Sequence, residues 1–267
     1  MQDANLLSLV QKIARERDFG FDAYKESCLR RRIAVRMRAR GVTSYADYGR
    51  LLERDASEYE RLLDTLTINV SKFYRNRETW DLLAGRVLPM LWADRRGRLR
   101  CWSAGCASGQ ESYTLAVLLS ELERETDADM RAAWRIDATD FDRRSLDRAA
   151  QGVYPAEAFE EMPPLLTHRY FSGDALRTVV PELKRHVSFQ RHDLTREPPP
   201  NPPYDLVMCR NVLIYFDKTT QQRLIAGFVD ALRSGGYLVL GRAETLYGEV
   251  RKLLELEDTR ERVYRKP

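Results

Sequence analysis

The sequence predicts an α/β protein in which a small all-helical domain precedes a mostly parallel sheet, and three observations predict it. From Leu99 onward, strand-like and helix-like runs alternate, the pattern of a parallel sheet wrapped by helices. Residues 1 to about 66 instead carry helical apolar spacing throughout. At the junction of the first strand and its helix, a turn of small residues, Ser103-Ala104-Gly105-Cys106-Ala107-Ser108-Gly109, leads straight into the apolar run Tyr113-Thr114-Leu115-Ala116-Val117-Leu118-Leu119. Strand, glycine turn and helix in that order make a shelf for a ligand. Glycine lets backbone approach closely, and the helix start offers unpaired N–H groups.

The chain of 267 residues has room for one large domain, or for a small and a medium one. A hydrophobic fraction of 43% supplies a core, and no repeat or biased tract argues for disorder. Lys+Arg 44 against Asp+Glu 40 leaves a net charge of +4, which permits an acidic partner without requiring nucleic acid. Cys28, Cys101, Cys106 and Cys209 form no CxxC pair, and His168, His186 and His192 show no metal-ligand spacing. Reduced thiols and no metal site are expected. The start Met1-Gln2-Asp3-Ala4-Asn5 lacks a basic leader, and no apolar run is long enough to cross a bilayer. A cytoplasmic protein without membrane insertion is expected.

In the helical part, Leu6, Leu7, Val10, Ile13 and Ala14 form the first apolar stripe. A second helix is predicted from about Ala23 to a glycine stop at Gly41. It is crowded with Arg30, Arg31, Arg32, Arg36, Arg38 and Arg40, while Leu29, Ile33 and Met37 sit four apart on one face. The plain reading is a solvated basic helix packed along a thin stripe; the sharper one is a docking surface for an acidic partner. The stretch lacks the interleaved aromatics that stack nucleic-acid bases. Thr43 or Ser44 caps a third helix, with Tyr45, Tyr48, Leu51 and Leu52 inward, and a fourth carries Tyr59, Leu62, Leu63 and Leu66.

A connector, Leu66-Thr67-Ile68-Asn69-Val70-Ser71-Lys72-Phe73-Tyr74-Arg75-Asn76, follows, and connectors between domains are where cleft walls lie. Trp80 to Leu91 reads as a helix. The strands then run Leu99 to Ser103, Ile136 to Asp140, Val187 to Arg191, Tyr204 to Cys209 and Tyr237 to Leu240, with Leu176 to Val180 as an extra strand. Ser145 to Gln151 is helical and stops at Gly152; Pro163 and Pro164 start a short helix. Asp217 caps a helix with Leu224, Ile225, Phe228, Val229 and Leu232 on one face, which Gly235-Gly236 ends. Val263-Tyr264 is predicted as a terminal edge strand.

The glycine turn discriminates between ligands. Gly105 and Gly109 are followed by Gln110 and Glu111, so the lysine of a P-loop is missing and an acid stands where phosphate would be repelled. GxGxxG is absent too. Asp140, one strand later, is placed to accept hydrogen bonds from a ribose, or simply to cap the next helix. A nucleoside that lacks phosphates and carries an amino group fits both acids, which describes S-adenosylmethionine.

Four segments carry a resemblance: residues 66–75, the shelf from Trp102 to Thr114, Ala138-Thr139-Asp140, and Cys209-Arg210-Asn211-Val212-Leu213-Ile214-Tyr215-Phe216-Asp217-Lys218. In these the chain resembles the CheR family of chemotaxis-receptor protein-glutamate O-methyltransferases, across nearly its whole length. The resemblance implies a Rossmann-like S-adenosylmethionine-dependent methyltransferase sheet with a small N-terminal all-helical domain and a small β insertion. It places the helical domain at 1–68, a connector at 69–96 and the methyltransferase domain at 97–267, with the insertion near 172–186. It implies cofactor contacts from Asn69, Ser71, Arg75, Gly105, Glu111, Asp140, Asp193, Leu194, Arg210 and Asn211, with catalytic roles for Arg75 and Tyr215. Asp140 would hold the ribose, Asp193 the adenine amino group, and Glu111 the amino or hydroxyl groups of the cofactor. Arg75 would hold a carboxylate as a bidentate donor. Tyr215 would stand near the methyl or orient the acceptor oxygen. Ser71 stands where threonine is usual, and Ser112 where proline often starts the helix.

The implied reaction moves a methyl from the sulfonium of S-adenosylmethionine to a glutamate of a chemoreceptor, leaving S-adenosylhomocysteine. A glutamate is ionised at neutral pH, so no general base is needed, and the sequence offers no Cys/His or Ser/His pair. The basic helix at 30–40 becomes a candidate for docking on the acidic cytoplasmic helices of chemoreceptors, with the enzyme expected as a monomer. Two other readings stand beside this one. An S-adenosylmethionine-dependent RNA methyltransferase draws on the basic balance; against it, Asn201-Pro202-Pro203-Tyr204 precedes the Asp205-to-Cys209 strand, whereas amino-methylating enzymes need that motif at the strand's C-terminal end, so the match is a coincidence. A non-catalytic S-adenosylmethionine sensor draws on Ser112 and the short insertion.

Overall fold

The computed structural model describes residues 4–17, 23–66, 71–126 and 133–267. They form two compact units. One holds the described residues up to 66 together with Tyr215–Gln221; the other holds the remainder.

In the first unit, α1 (Ala4–Arg17) buries Leu6, Leu9, Val10 and Ile13. That spacing of three and four is the helical stripe, and Leu7, one step off it, is 42% exposed rather than inward. Helix α2 (Glu26–Ala39) buries Leu29, Ile33 and Met37, and starts at Glu26 instead of Ala23. Gly41 follows in the left-handed region with φ 66°, the conformation its missing Cβ allows. Ser44 caps α3 (Tyr45–Arg54) by accepting from the Asp47 N–H at 3.0 Å, and α4 (Ala56–Leu66) buries Tyr59, Leu62 and Leu66.

The centre of this unit is polar. The fully buried Glu58 accepts from Arg36 Nε at 3.0 Å and Nη2 at 2.6 Å, from Tyr48 Oη at 2.8 Å and from Arg40 Nη1 at 3.4 Å. Burial alone would raise the carboxyl pKa; the Arg36 and Tyr48 bonds outweigh it and hold the group below the usual carboxylate range. Much of the basic helix therefore turns inward. Arg36 and Arg40 serve Glu58, and the buried Arg32 donates to the Leu66 carbonyl and lies 4.2 Å over the Tyr215 ring. Arg31 and Arg38 remain exposed.

The second unit opens with a helical run, α5 (Arg77–Leu82), a π-helical turn at Leu83–Val87 and α6 (Leu88–Arg95). Then β1 (Arg100–Ala104), α7 (Gln110–Glu125), β2 (Arg135–Asp140) and α8 (Arg143–Gln151) alternate. Next come β3 (Val153–Pro155), α9 (Pro164–Tyr170), β4 (Phe171–Ser172), β5 (Leu176–Val179) and α10 (Pro181–Lys184). The chain finishes with β6 (Val187–Arg191), β7 (Tyr204–Cys209), α11 (Lys218–Ala231), β8 (Leu232–Leu240), β9 (Glu255–Asp258) and β10 (Val263–Arg265).

The main sheet has seven strands in the order β6-β2-β1-β7-β8-β10-β9, with β10 antiparallel to both its neighbours and the rest parallel. The chain builds outward from β1 to β6, then returns to β7 on the other side of β1. Strand order thus reverses between β1 and β7, and the crevice at their C-terminal ends is the ligand-binding position of open α/β sheets. Trp80, Trp102 and Trp134 are fully buried in this unit, and every residue of β7 is buried, as a central strand demands.

Three expectations about this unit change. β10 is not the edge strand, because β9 pairs outside it; with its Glu255, Glu257 and Asp258, β9 reads as loop. Gly235-Gly236 does not end a helix. α11 already ends at Ala231, and the glycines form an irregularity inside β8, with Gly235 at φ 78° and the register shifting between the Tyr204–Leu232 and Leu206–Tyr237 pairs. The separate three-stranded sheet, β3-β5-β4, includes β3 at 153–155, ahead of the stretch 172–186 assigned to the insertion.

Replacing Glu58 by Gln leaves Arg36 and Tyr48 facing a group that no longer carries charge. The substitution is expected to lower the stability of the helical unit by about 2–3 kcal/mol, because a buried ion pair is broken from one side. Urea unfolding of the full chain measures this. The folded-state pKa of Glu58 lies below its unfolded value. Its stabilisation is therefore complete above the usual carboxylate range and is lost as pH falls through the folded pKa, and the variant loses that acid dependence.

Candidate active site

The shelf forms where β1 ends. Gly105 N and Cys106 N donate to the Thr139 carbonyl at 2.8 and 2.9 Å, which fastens the turn to β2. Gly105 has φ 80°, and a Cβ there would lie 2.5 Å from Val212 Cγ2. Gly109, at φ 88°, precedes α7; a Cβ on it would lie 2.8 Å from Ala149 Cβ. Both glycines are required by backbone angle and by space. The turn is a cradle whose floor is backbone and whose wall is Val212.

Two acids stand at this end of the sheet. Asp140 closes β2, taking the Ala107 N–H at 2.8 Å on one oxygen and the Asp142 N–H at 2.9 Å on the other. Burial pushes its pKa up to about 6, and the backbone bonds restrain the rise. Each oxygen keeps a lone pair, so the carboxylate has capacity for a hydroxyl pair. Glu111 lies in the first turn of α7, with its side chain 12% exposed. It accepts from Ser103 Oγ at 2.9 Å and faces Arg210 Nη1 at 3.5 Å. Burial raises its pKa, and Arg210 and Ser103 oppose that.

Arg210 follows directly on β7, and its side chain is 3% exposed. Its Nη2 donates to the Arg75 carbonyl at 2.9 Å and to Asn76 Oδ1 at 3.1 Å, and its guanidinium lies 5.4 Å from the Trp80 ring centroid. Arg210 therefore ties the connector to α7. The Arg75 carbonyl also accepts from Trp80 Nε1 at 3.1 Å. On either side of Arg75, Tyr74 and Asn76 adopt left-handed backbone angles, φ 57° and 62°. Such angles persist in non-glycine residues only where the surroundings over-determine them. Phe73 supplies the anchor: it stacks on Phe159 at 4.4 Å and meets Tyr154 and Phe171 edge-on at 4.9 Å. Arg75 lies near enough for its charge to act on both Glu111 and Arg210, lowering the pKa of each.

The structure thus brings together Arg75, Gly105, Glu111, Asp140, Arg210 and Asn211, the last at φ 60° beside Gly241. Ser71 and Leu194 are half-buried. Asn69 lies outside the described residues. The Asp193 carboxylate caps its own turn, accepting from Thr195 N at 2.8 Å and Thr195 Oγ1 at 2.6 Å. Tyr215 belongs to the helical unit, where its carbonyl accepts from Lys25 N at 2.9 Å under the Arg32 guanidinium. Ser112 is the third residue of α7 and is fully buried, so it does not occupy the first helical position where proline would preset the angle. Asn201 and Tyr204 both donate to Asp137 Oδ2, at 3.2 and 2.8 Å, which places that tetrapeptide at the N-terminal end of β7, away from the crevice.

Glu244 escaped the sequence reading. Nearly fully buried, it accepts from Gly241 N at 2.5 Å, Leu213 N at 2.7 Å, Val212 N at 2.9 Å and Asn211 N at 3.1 Å. The available signal was an acid just past the apolar run of β8, the same signal that marked Asp140. Thr79 and Trp80, which line the Arg210 bonds, look like ordinary helix residues in the sequence.

A reversed-order parallel sheet with a glycine cradle, an acid at the end of the second strand and no phosphate-binding lysine defines a nucleotide-fold enzyme of the S-adenosylmethionine-dependent methyltransferase class. Comparison with known proteins goes further. Residues 69–263 match the CheR methyltransferase SAM-binding domain and residues 4–67 the CheR methyltransferase all-alpha domain. A chemotaxis protein methyltransferase of Listeria monocytogenes is 36% identical over 86% of this chain and 87% of its own length. That of Escherichia coli is 31% identical over 91% of this chain and 85% of its own length. Chemotaxis protein methyltransferase 2 of Pseudomonas aeruginosa is 36% identical over 80% of this chain and 76% of its own length. The chain belongs to the CheR methyltransferase family and is an S-adenosylmethionine-dependent methyltransferase.

The cradle has a direct test. Gly105→Ala adds a left-handed alanine and a clash with Val212, and should destabilise the second unit by about 1–3 kcal/mol in urea unfolding. Adding Val212→Ala should recover only the steric part, since the φ of 80° remains.

Proposed function

We infer that the chain methylates glutamate side chains of chemoreceptors to form methyl esters during chemosensory adaptation. Neither RNA methylation nor a non-catalytic sensor is favoured, since the family match covers both units. The observation that carries the reading is the presentation of Arg75. Its carbonyl is held by two donors between two left-handed residues, and its charge acts on Glu111 and Arg210 at the sheet's switch point. A guanidinium carried on so fixed a backbone suits a planar carboxylate.

The residues present fit S-adenosylmethionine. The Gly105 cradle admits a close-lying ligand and Asp140 has lone pairs for a ribose diol. Arg210 balances the charge of Glu111. When bound, the cofactor supplies an activated methyl on a positively charged sulfur. The chain's own work is to hold and align. Asp140 accepts from the ribose, and the spare acceptor sites of Glu111 take the amino group. Asn211 lines the same pocket, and Leu194 borders the adenine. Arg75 orients a carboxylate. No proton has to be removed from an ionised glutamate, so alignment and exclusion of water provide the acceleration.

For the receptor, the exposed surface of α2 includes the arginine pair Arg31 and Arg38, with Val35 between them at 45% exposure. Four apart and then three apart, they lie on one helix face. Docking is assigned to this pair, and not to Arg32 or Arg36, which face inward.

Incubation with methyl-labelled S-adenosylmethionine and either receptor cytoplasmic fragments or RNA tests the reaction. Base-labile label on the protein is expected; label on RNA, or cofactor binding without transfer, contradicts it. Arg75→Ala should lower kcat by roughly 100-fold, the scale of a lost alignment. Since Asp140 protonates near pH 6, S-adenosylhomocysteine binding should weaken as pH falls through about 6, and Asp140→Asn should bind weakly without that inflection. Arg31→Glu with Arg38→Glu should raise the receptor KM about tenfold and flatten its salt dependence, leaving S-adenosylhomocysteine affinity unchanged. Unchanged receptor kinetics would remove the docking assignment.

A further inference from the structure

We propose that Glu244 is a positioning residue for the cofactor site, acting through the turn at 211–213. This rests on the reading of the crevice as the S-adenosylmethionine site.

The turn follows β7 at the point where strand order reverses. It has no regular ladder of its own, yet three consecutive N–H groups, those of Asn211, Val212 and Leu213, converge on one carboxylate. A fourth donor, Gly241 N, comes from the end of β8. An ionised carboxylate is an acceptor on both oxygens, so a single side chain satisfies donors from two loops. Asn211 sits at φ 60°, an angle that needs outside support in a non-glycine residue. Gly241 permits the assembly: a Cβ there would lie 2.7 Å from Glu244 Oε2 and 2.8 Å from Asn211 N. Glu244 N in turn donates to the Gly241 carbonyl at 2.8 Å, which closes its own loop around the carboxylate.

What the turn carries makes this more than a structural clamp. Val212 leans on the glycine cradle, its Cγ2 only 2.5 Å from where a Gly105 Cβ would be. The residue before the turn is Arg210, which holds Glu111 and the Arg75 carbonyl. One carboxylate thus sets both the wall over Gly105 and the starting point of the arginine that presents Arg75. An amide in its place keeps one acceptor oxygen but turns a donor toward N–H groups, so part of the set must open.

The test uses the full chain. In Glu244→Gln, native-state hydrogen exchange at the amides of Asn211, Val212, Leu213 and Gly241 should accelerate tenfold or more while the β1 and β2 amides keep their rates. By calorimetry, S-adenosylhomocysteine should bind at least tenfold more weakly, and the KM for S-adenosylmethionine should rise more than kcat falls. Val212→Ala alone should also weaken binding, with exchange at the four amides unchanged. In the double variant the two losses should be less than additive, because Glu244 acts through Val212. Equal affinity of Glu244→Gln and the unaltered chain, or strictly additive losses, would overturn the proposal. If Glu244→Gln does not fold, Val212→Ala decides it: weaker binding supports the wall, and unchanged affinity overturns it. Failure of the unaltered chain to bind S-adenosylhomocysteine would overturn the cofactor reading and this role with it.

Discussion

The Arg210 guanidinium sits almost out of reach of water, and the catalytic end of the molecule depends on how its charge is met. Burying such an ion costs several kcal/mol unless partners surround it. Here Glu111 supplies the counter-charge, the Arg75 carbonyl and Asn76 Oδ1 accept, and the Trp80 face lies alongside. Each partner comes from a different part of the chain: α7, the connector and α5. Satisfying one charge therefore fixes three segments around the crevice. The strained angles of Tyr74 and Asn76 are tolerated because this arrangement leaves the connector no alternative.

With the crevice as the proposed methyl-transfer site, the same pairing would set the electrostatics of the reaction. A positively charged methyl donor and a negatively charged acceptor lose charge as they react, so a strongly charged site would stabilise the reactants more than the transition state. With Arg210 balancing Glu111, Asp140 is left as the acid that burial and backbone bonds tune. Rigid backbone donors and the glycine cradle then provide shape in place of net charge. This is a site suited to alignment and not to proton transfer.

The parts legible in the sequence were those governed by local spacing or by backbone angle. The Leu29, Ile33 and Met37 stripe and the Ser44 cap are dictated by neighbours a few residues away, and the glycine turn by its own backbone angles. The parts that were not legible depend on partners far along the chain. Nothing near Arg32, Arg36 or Arg40 in the sequence announces that Leu66, Tyr215 and Glu58 will draw them inward. One oxygen of Asp193 is taken by its own turn, whereas Glu244 is an acid on which two loops converge. The place of Gly235-Gly236 inside β8 and of β9 outside β10 was not legible for a related reason, since a register shift and an acid-rich edge have no local pattern.

A structure of the chain bound to S-adenosylhomocysteine tests the central claim most directly. Ribose hydroxyls are expected about 2.6–3.0 Å from the Asp140 oxygens, with the sulfur end lying over Gly105 beneath Val212 and facing Arg75. A ligand bound away from the β1–β7 crevice, or a ribose that makes no bond to Asp140, would contradict it.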